Sequence, residues 1–197
     1  EIDRARSVAR VKDLAEQVRA EGMHGTVGIA HTRWATHGGP VVANAHPHIA
    51  GNRIALVHNG IIENFAQLRA ELEATGVTMQ SQTDTEVLAH LVNFYLEDDL
   101  LEALKKALSR VTGAYAVAVF DKRHPERIVG ARQGSPMVVG LGEGENFIAS
   151  DAMALVGVTD KIVYLDDGDI VSMTKDECQI YGRTGNDSWQ PVERKAV

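Results

Sequence analysis

The chain has 197 residues, of which 44% are apolar and 24% are charged, and these fractions indicate a globular protein with one sizeable core. The formal net charge of -7 excludes a surface built to neutralise phosphates, because nucleic-acid binding needs clustered, uncompensated Lys and Arg. The most apolar uncharged run, at 113–120, is far shorter than the ~20 residues that cross a bilayer. We therefore expect a cytoplasmic protein with neither nucleic acid nor a membrane as a partner.

The first half of the chain predicts four helices and two strands. Helices are predicted where apolar residues recur at helical spacing, in 1–19, 64–75, 83–98 and 99–111. Strands are predicted from short apolar runs at 26–30 and 53–58. The second of these strands is expected to stop at Asn59-Gly60, since this dipeptide is typical of turns.

The second half predicts a sheet. Gly, Pro and Asp turns separate seven short strand candidates, at 114–121, 127–132, 136–141, 146–150, 161–165, 169–174 and 178–182. Helices grouped before a run of hairpin-linked strands predict an α+β fold with largely antiparallel sheet. We assign 1–185 to one domain and the polar tail 186–197 to a linker.

Histidines crowd the loop that follows the first predicted strand, and this crowding suggests a metal site. Five of the eight histidines lie between residues 31 and 58: His31, His37, His46, His48 and His58. The pair His46-Pro47-His48 has H-x-H spacing, which places two rings on one face of an extended segment. A second ligand motif is missing from the sequence, however, so we predict no metal and interpret His46 and His48 as scaffolding for the loop.

Four further residues have the chemistry of an amino-acid site. Asn59-Gly60 precedes a helical pattern rather than a returning strand, so the Asn amide and the Gly N–H can form an oxyanion hole. Arg33 is suited to gripping a carboxylate, and Asp84 to holding an ammonium group. Structural interpretations stay open on these residues alone: a hairpin turn, a surface ion pair, and a helix start at the capping box Thr83-x-x-Glu86.

Six motifs in fixed order connect these residues to a known family. They are HTRWATHG (31–38), NAHPH (44–48), VHNGIIEN (57–64), TDTEV (83–87), RQGSP (132–136) and GENFIASD (144–151). Together they resemble the glutaminase domain of the glutamine:fructose-6-phosphate aminotransferases, a family of class II glutamine amidotransferases. The resemblance covers about Gly25 to Gly185. Other class II amidotransferases share the Asn-Gly and Asp features and remain the nearest alternative.

The resemblance implies an N-terminal-nucleophile hydrolase fold, an αββα sandwich, that hydrolyses L-glutamine without a cofactor. Arg33 would hold the α-carboxylate of glutamine and Asp84 its α-ammonium group, while Asn59 and Gly60 would stabilise the oxyanion. A lid over the substrate and an ammonia passage would involve the aromatic and polar residues after Arg33, namely Trp34, Thr36 and His37. The ammonia would serve a sugar isomerase domain of the same protein, and that domain would form a homo-oligomer.

The nucleophile of the family has no counterpart in this sequence. Members of the family begin with a cysteine whose thiolate attacks glutamine and whose α-amino group acts as base. This sequence begins at Glu1, past the opening motifs of the family, and Cys178 lies in an unrelated motif. We expect the segment with the cysteine, at least one strand and a further arginine to be missing, and the chain alone to be inactive. A non-catalytic glutamine-binding module is the other alternative.

Overall fold

The computed structural model describes residues 1–33, 38–185 and 188–197. These residues contain four α-helices: α1 (Val11–Ala20), α2 (Phe65–Ala74), α3 (Asp84–Tyr95) and α4 (Leu100–Leu108). The last three confirm the predicted helices to within three residues at each end. Within the described ranges, no helix has the length and apolar character that crossing a membrane requires.

Ten strands form two sheets in the described part of the chain. In chain order they are β1 (His48–Ala50), β2 (Ile54–Ile62), β3 (Gly113–Asp121), β4 (Ile128–Gln133), β5 (Val138–Leu141), β6 (Asn146–Ala149), β7 (Lys161–Tyr164), β8 (Ile170–Met173), β9 (Cys178–Thr184) and β10 (Ser188–Val192). The large sheet has the order β1-β2-β3-β4-β8-β9-β10, and the small sheet has the order β6-β5-β7. Every pair of these strands is antiparallel, and all seven strands predicted for the second half are present.

The core has two layers because side chains alternate across the large sheet. On β3, Val117 and Val119 face the layer formed by α2, α3 and α4, where they meet Leu88 of α3 and Leu104 of α4. Ala116 points to the other side and packs with Val139 and Val163 of the small sheet and with Met137 and Leu165, which adjoin its strands. This stack of helices, large sheet and small sheet confirms the predicted α+β class.

The N-terminal predictions are wrong in part. In place of the predicted helix 1–19 the structure has the shorter helix Val11–Ala20, which has no buried residue. The segment before it has no regular secondary structure, and its Arg6 guanidinium donates to the carbonyls of Ala43 and Ala45. Residues 26–30 form no strand, because they pair with no strand of the described chain. Ile29 and Ala30 lie instead beside the gap between the two sheets.

Both ends of the large sheet also differ from the prediction. The short strand β1 was not predicted, and β2 runs through Asn59-Gly60 to Ile62 instead of stopping there. At the opposite edge, Ser188–Val192 were assigned to a linker but form β10, which pairs with β9. The Trp189 indole N–H donates to the Gly168 carbonyl at 2.9 Å, which fastens this edge to the sheet. That the segment leads toward a further domain stays a prediction.

Candidate active site

A cavity of about 240 Å³ lies where the end of β2 meets the start of α3. This volume is below the ~300–1,000 Å³ of pockets for drug-sized ligands, so the cavity suits a small molecule. Strand β2, helix α3 and the loop that precedes β1 all contribute to its wall. The lining residues are His31, Arg33, His46, His58, Asn59, Gly60, Ile61, Thr83, Asp84 and Thr85.

Gly60 gives β2 its shape at the cavity. Its φ of +126° lies in the region that only glycine adopts without strain. A Cβ at this position would also collide with the carbonyl oxygen of Ala114 on β3. The strand can therefore continue past Asn59-Gly60 while its backbone changes direction, with Gly60 opposite Tyr115 and Ile62 opposite Gly113. This local geometry explains why the Asn-Gly dipeptide is not a hairpin turn here.

Asn59 is held by a histidine that also contacts Arg33. The His31 Nε2 and the Asn59 Oδ1 are 2.6 Å apart. On the other side of the same ring, Nδ1 accepts the backbone N–H of Arg33 at 2.8 Å. Arg33 has a φ of +39°, and its guanidinium donates to the carbonyls of Gly38 and Gly39. His31 thus joins the loop that carries Arg33 to the strand that carries Asn59.

Asp84 is the first residue of α3 and ties that helix to β2. Its carboxylate accepts the backbone N–H of Ile62 at 2.9 Å and that of Thr85 at 3.0 Å, and the side chain is only 3% exposed. Thr83 caps the helix, because its hydroxyl accepts the N–H of Glu86 at 3.2 Å. A carboxylate at a helix N-terminus is also favoured by the macrodipole. The helix start therefore fixes the position of Asp84 at the cavity.

Glu86 departs from the predicted capping box. Its carboxylate accepts the backbone N–H groups of Gln80 and Ser81 and the Ser81 hydroxyl, at 2.6–2.8 Å, instead of the N–H of Thr83. Burial alone would raise the pKa of Glu86, but these hydrogen bonds hold it below its ordinary value. The Thr83 half of the prediction is confirmed. Glu86 therefore holds Gln80 and Ser81 close to the start of α3, which forms part of the cavity wall.

His31, His46 and His48 form a layer of packed rings, and His31 and His46 also line the cavity. The His46 ring stacks on that of His31 at a centroid distance of 4.1 Å, and its Nδ1 accepts the backbone N–H of His58. His48 bonds through Nε2 to the Thr83 hydroxyl at 3.0 Å. Burial lowers the pKa of His46 to about 2 and that of His48 to about 4. In the described ranges, no group of three His, Cys, Asp or Glu side chains is arranged to hold a metal ion.

The cavity brings together four of the predicted site residues: Arg33, Asn59, Gly60 and Asp84. The other predicted residues, Trp34, Thr36 and His37, lie outside the described residues. The sequence interpretation missed His31 and Thr85, although both stand inside the motifs HTRWATHG and TDTEV. Their place in the sequence could have identified them, because His31 is two residues before Arg33 and Thr85 directly follows Asp84.

Cys178 lies away from the cavity. It is the first residue of β9, opposite Met173, and it packs against the cluster between the two sheets. Burial raises the pKa of its thiol to about 11, so the reactive thiolate is scarce near neutral pH. This environment is consistent with a structural residue and not with a nucleophile.

A comparison of the sequence with known families shows the class of protein to which this fold and cavity belong. Residues 31–157 match the family described as glutamine amidotransferase domain, and the chain belongs to that family. Its relatives include the glutamine–fructose-6-phosphate aminotransferase (isomerizing) of Bordetella pertussis, 56% identical over 99% of this chain and 32% of the relative. The enzyme of the same name from Escherichia coli K12 is 50% identical over 93% of this chain and 30% of the relative. The chain thus spans about a third of the length of the curated relatives it matches.

A solved structure supports the same fold. The glutamine phosphoribosylpyrophosphate amidotransferase from B. subtilis, complexed with ADP and GMP, has a TM-score of 0.65 to this chain. It is 28% identical, and the match covers 79% of this chain and 34% of that one. The predicted N-terminal-nucleophile hydrolase-like fold is confirmed by this likeness.

Proposed function

We propose that the cavity binds L-glutamine and that the chain is the glutaminase part of a glutamine–fructose-6-phosphate aminotransferase. The observation that carries this proposal is the convergence of Arg33, Asn59, Gly60 and Asp84 on one cavity of about 240 Å³. The 56% identity to a relative of that name supports the choice among amidotransferases. In the whole protein, the ammonia released would convert fructose-6-phosphate to glucosamine-6-phosphate.

The two charged residues account for recognition of a free amino acid. The guanidinium of Arg33 pairs with the α-carboxylate of glutamine, because its planar fork of donors matches the two carboxylate oxygens. Asp84 receives the α-ammonium group, and its two backbone hydrogen bonds hold the carboxylate in place for that contact. With both ends of the amino acid fixed, the side-chain amide is directed to the part of the wall formed by Asn59 and Gly60.

Asn59 and Gly60 account for stabilisation of the oxyanion. When a nucleophile adds to the side-chain carbonyl, the oxygen becomes negative and needs donors that are already in place. The amide NH2 of Asn59 and the backbone N–H of Gly60 are those donors in the proposal. The positive φ of Gly60 lets the backbone turn toward the cavity at this point.

The nucleophile is proposed to be a cysteine thiolate on a segment that precedes Glu1. The thiolate attacks the side-chain carbonyl carbon, the amide nitrogen takes up the proton that the thiol gave to the α-amino group and leaves as ammonia, and water then hydrolyses the thioester to glutamate and thiol. The α-amino group of the same cysteine acts as the base. Cys178 is the single cysteine of the chain, and it lies on β9, away from the cavity. The 197 residues alone are therefore proposed to be inactive.

Three residues of the HTRWATHG motif and the rest of the protein complete the proposal. Thr36 and His37 would cover the substrate, and Trp34 would stand between the cavity and a passage for ammonia. The passage would lead to a sugar isomerase domain after Val197, through which a homo-oligomer forms. A cytoplasmic location is supported by the lone cysteine, since disulfide bonds are rare in reducing compartments.

Ammonia release from glutamine tests the proposal. The full-length natural protein is expected to release ammonia and to aminate fructose-6-phosphate, and the 197-residue chain of verified mass to release none. Turnover by the 197-residue chain would overturn the assignment of the nucleophile. Glutamine binding without turnover in the full-length protein would indicate a binding module. Transfer of ammonia to an acceptor other than fructose-6-phosphate would indicate another class II amidotransferase.

A further inference from the structure

A single histidine connects the two halves of the proposed glutamine site. The His31 ring lies between the side chain of Asn59 and the backbone of Arg33, at 2.6 Å and 2.8 Å. We infer that His31 is a positioning residue that orients the amide of Asn59 toward the substrate and fixes the loop that carries Arg33. The inference rests on the proposed function and adds a residue to it that contacts no reacting atom.

The hydrogen bonds determine which ring nitrogen of His31 carries the proton. The backbone N–H of Arg33 can only donate, so the Nδ1 that receives it must be an unprotonated acceptor. A neutral imidazole then carries its proton on Nε2. Nε2–H in turn donates to the oxygen of Asn59 and not to its nitrogen. The Asn59 NH2 therefore lies at the other end of the amide, and Asn59 lines the cavity.

The surroundings of His31 keep the ring in this form. His46 stacks on it at 4.1 Å, which limits rotation of the ring. Burial and the nearby Arg33 charge lower the pKa of His31, and the hydrogen bonds to Asn59 and to the His58 backbone only partly oppose them. A protonated ring would point an Nδ1–H at the N–H of Arg33, so the neutral form is the one that fits. Orientation of Asn59 thus depends on a ring held from three sides.

Two conservative substitutions separate the two contacts. His31→Asn keeps an acceptor at the position of Nδ1 but is too short to reach Asn59. His31→Gln keeps a donor at the position of Nε2 but has no acceptor at the position of Nδ1. In the full-length protein, His31→Asn is expected to lower kcat for glutamine hydrolysis by about a hundredfold with little change in KM. His31→Gln is expected to raise KM about tenfold and to retain most of kcat.

A double variant tests whether His31 acts through Asn59. If it does, His31→Asn combined with Asn59→Ala loses no more kcat than Asn59→Ala alone. Multiplied losses would overturn the inference, as would a His31→Asn variant with the kcat of the natural protein. His124→Asn is the control, because His124 lies on the exposed turn after β3 and outside the cavity. It is expected to leave both kcat and KM unchanged.

A spectroscopic measurement tests the inference without turnover. Nitrogen-15 NMR of labelled histidine in the 197-residue chain is expected to show His31 neutral with its proton on Nε2. A proton on Nδ1, or a charged ring at pH 7, would overturn the inference whatever the activity. If the full-length natural protein releases no ammonia, the proposed function fails instead. The two failures are therefore distinguishable.

Discussion

The protein stabilises buried polar groups differently at the cavity and at two Arg–Asp pairs elsewhere in the sheet. Asp121 and Asp169 are each only 1% exposed, and each is gripped by two nitrogens of one guanidinium, from Arg53 and Arg194. Around the cavity, the buried groups are instead neutral histidines and carboxylates that accept backbone N–H groups. The Arg–Asp pairs neutralise buried charge within the fold, whereas Arg33, Asn59 and Asp84 line an open cavity.

Breaking one Arg–Asp pair is expected to give the largest loss of stability. Arg53→Met leaves the Asp121 carboxylate buried beside an apolar chain, and removal of one partner of a buried pair typically costs about 3 kcal/mol or more. Urea unfolding of the 197-residue chain measures the change. Lys106→Met is the control, because both side chains of the Lys106–Glu97 pair are exposed and such pairs contribute less than ~1 kcal/mol. Equal effects of the two variants would contradict the prediction.

Asp84→Asn is expected to act on the ligand instead of the fold. Asn keeps a carbonyl oxygen for the N–H of Ile62 and loses the hydrogen bond from the N–H of Thr85, so the free energy of unfolding should fall by only about 1 kcal/mol. Glutamine affinity should fall about thirtyfold, or ~2 kcal/mol, because the α-ammonium group loses a charged partner. Calorimetric titration of glutamine into the chain measures this. Asp151→Asn is the control, since Asp151 caps a short helix outside the cavity. Unchanged affinity in Asp84→Asn would remove Asp84 from the site.

Cavity residues that stand in local sequence patterns were predictable from the sequence, and residues placed by tertiary contacts were not. Asn59, Gly60 and Asp84 were recognised because Asn-Gly interrupts an apolar run and Thr83-x-x-Glu86 marks a helix start, although β2 continues past Gly60 to Ile62. His31 was counted among possible metal ligands, because its partners Asn59 and the His46 ring become neighbours only on folding. Strand β10 was missed for the same reason: its polar sequence is held by pairing with β9 and by the Trp189 indole.

The histidine layer is expected to make the protein sensitive to mild acid. In the unfolded chain these histidines have an ordinary pKa near 6.5, while burial lowers the pKa to about 2 for His46 and about 4 for His48. Below pH 6.5 the unfolded state therefore binds more protons, and stability falls as the pH falls toward the folded values. Each histidine contributes a slope of up to ~1.4 kcal/mol per pH unit.

Substitution of one member of the layer separates its contribution. His46→Asn is expected to weaken the pH dependence of the unfolding free energy between pH 6.5 and 5. The variant has one histidine fewer that binds a proton only in the unfolded state. The Arg53–Asp121 pair contributes little in this window, since hydrogen bonds and the guanidinium hold the pKa of Asp121 below its ordinary value despite burial. His124→Asn, at an exposed position, should leave the slope unchanged. An unaltered slope in His46→Asn would assign the acid sensitivity to other groups.

The smallest effect is expected at Cys178, which lies neither at the cavity nor at the Arg–Asp pairs. Cys178→Ala in the full-length protein should leave glutaminase turnover unchanged, because this thiol lies between the sheets and outside the cavity. A pKa raised from 9.0 to about 11 lowers the thiolate fraction at pH 8 by about a hundredfold, so iodoacetamide should modify the folded chain far more slowly than the unfolded one. Intact-mass measurement over time follows both reactions. Rapid modification of the folded chain, or loss of turnover in Cys178→Ala, would show that the only thiol of the chain has a role that its position does not explain.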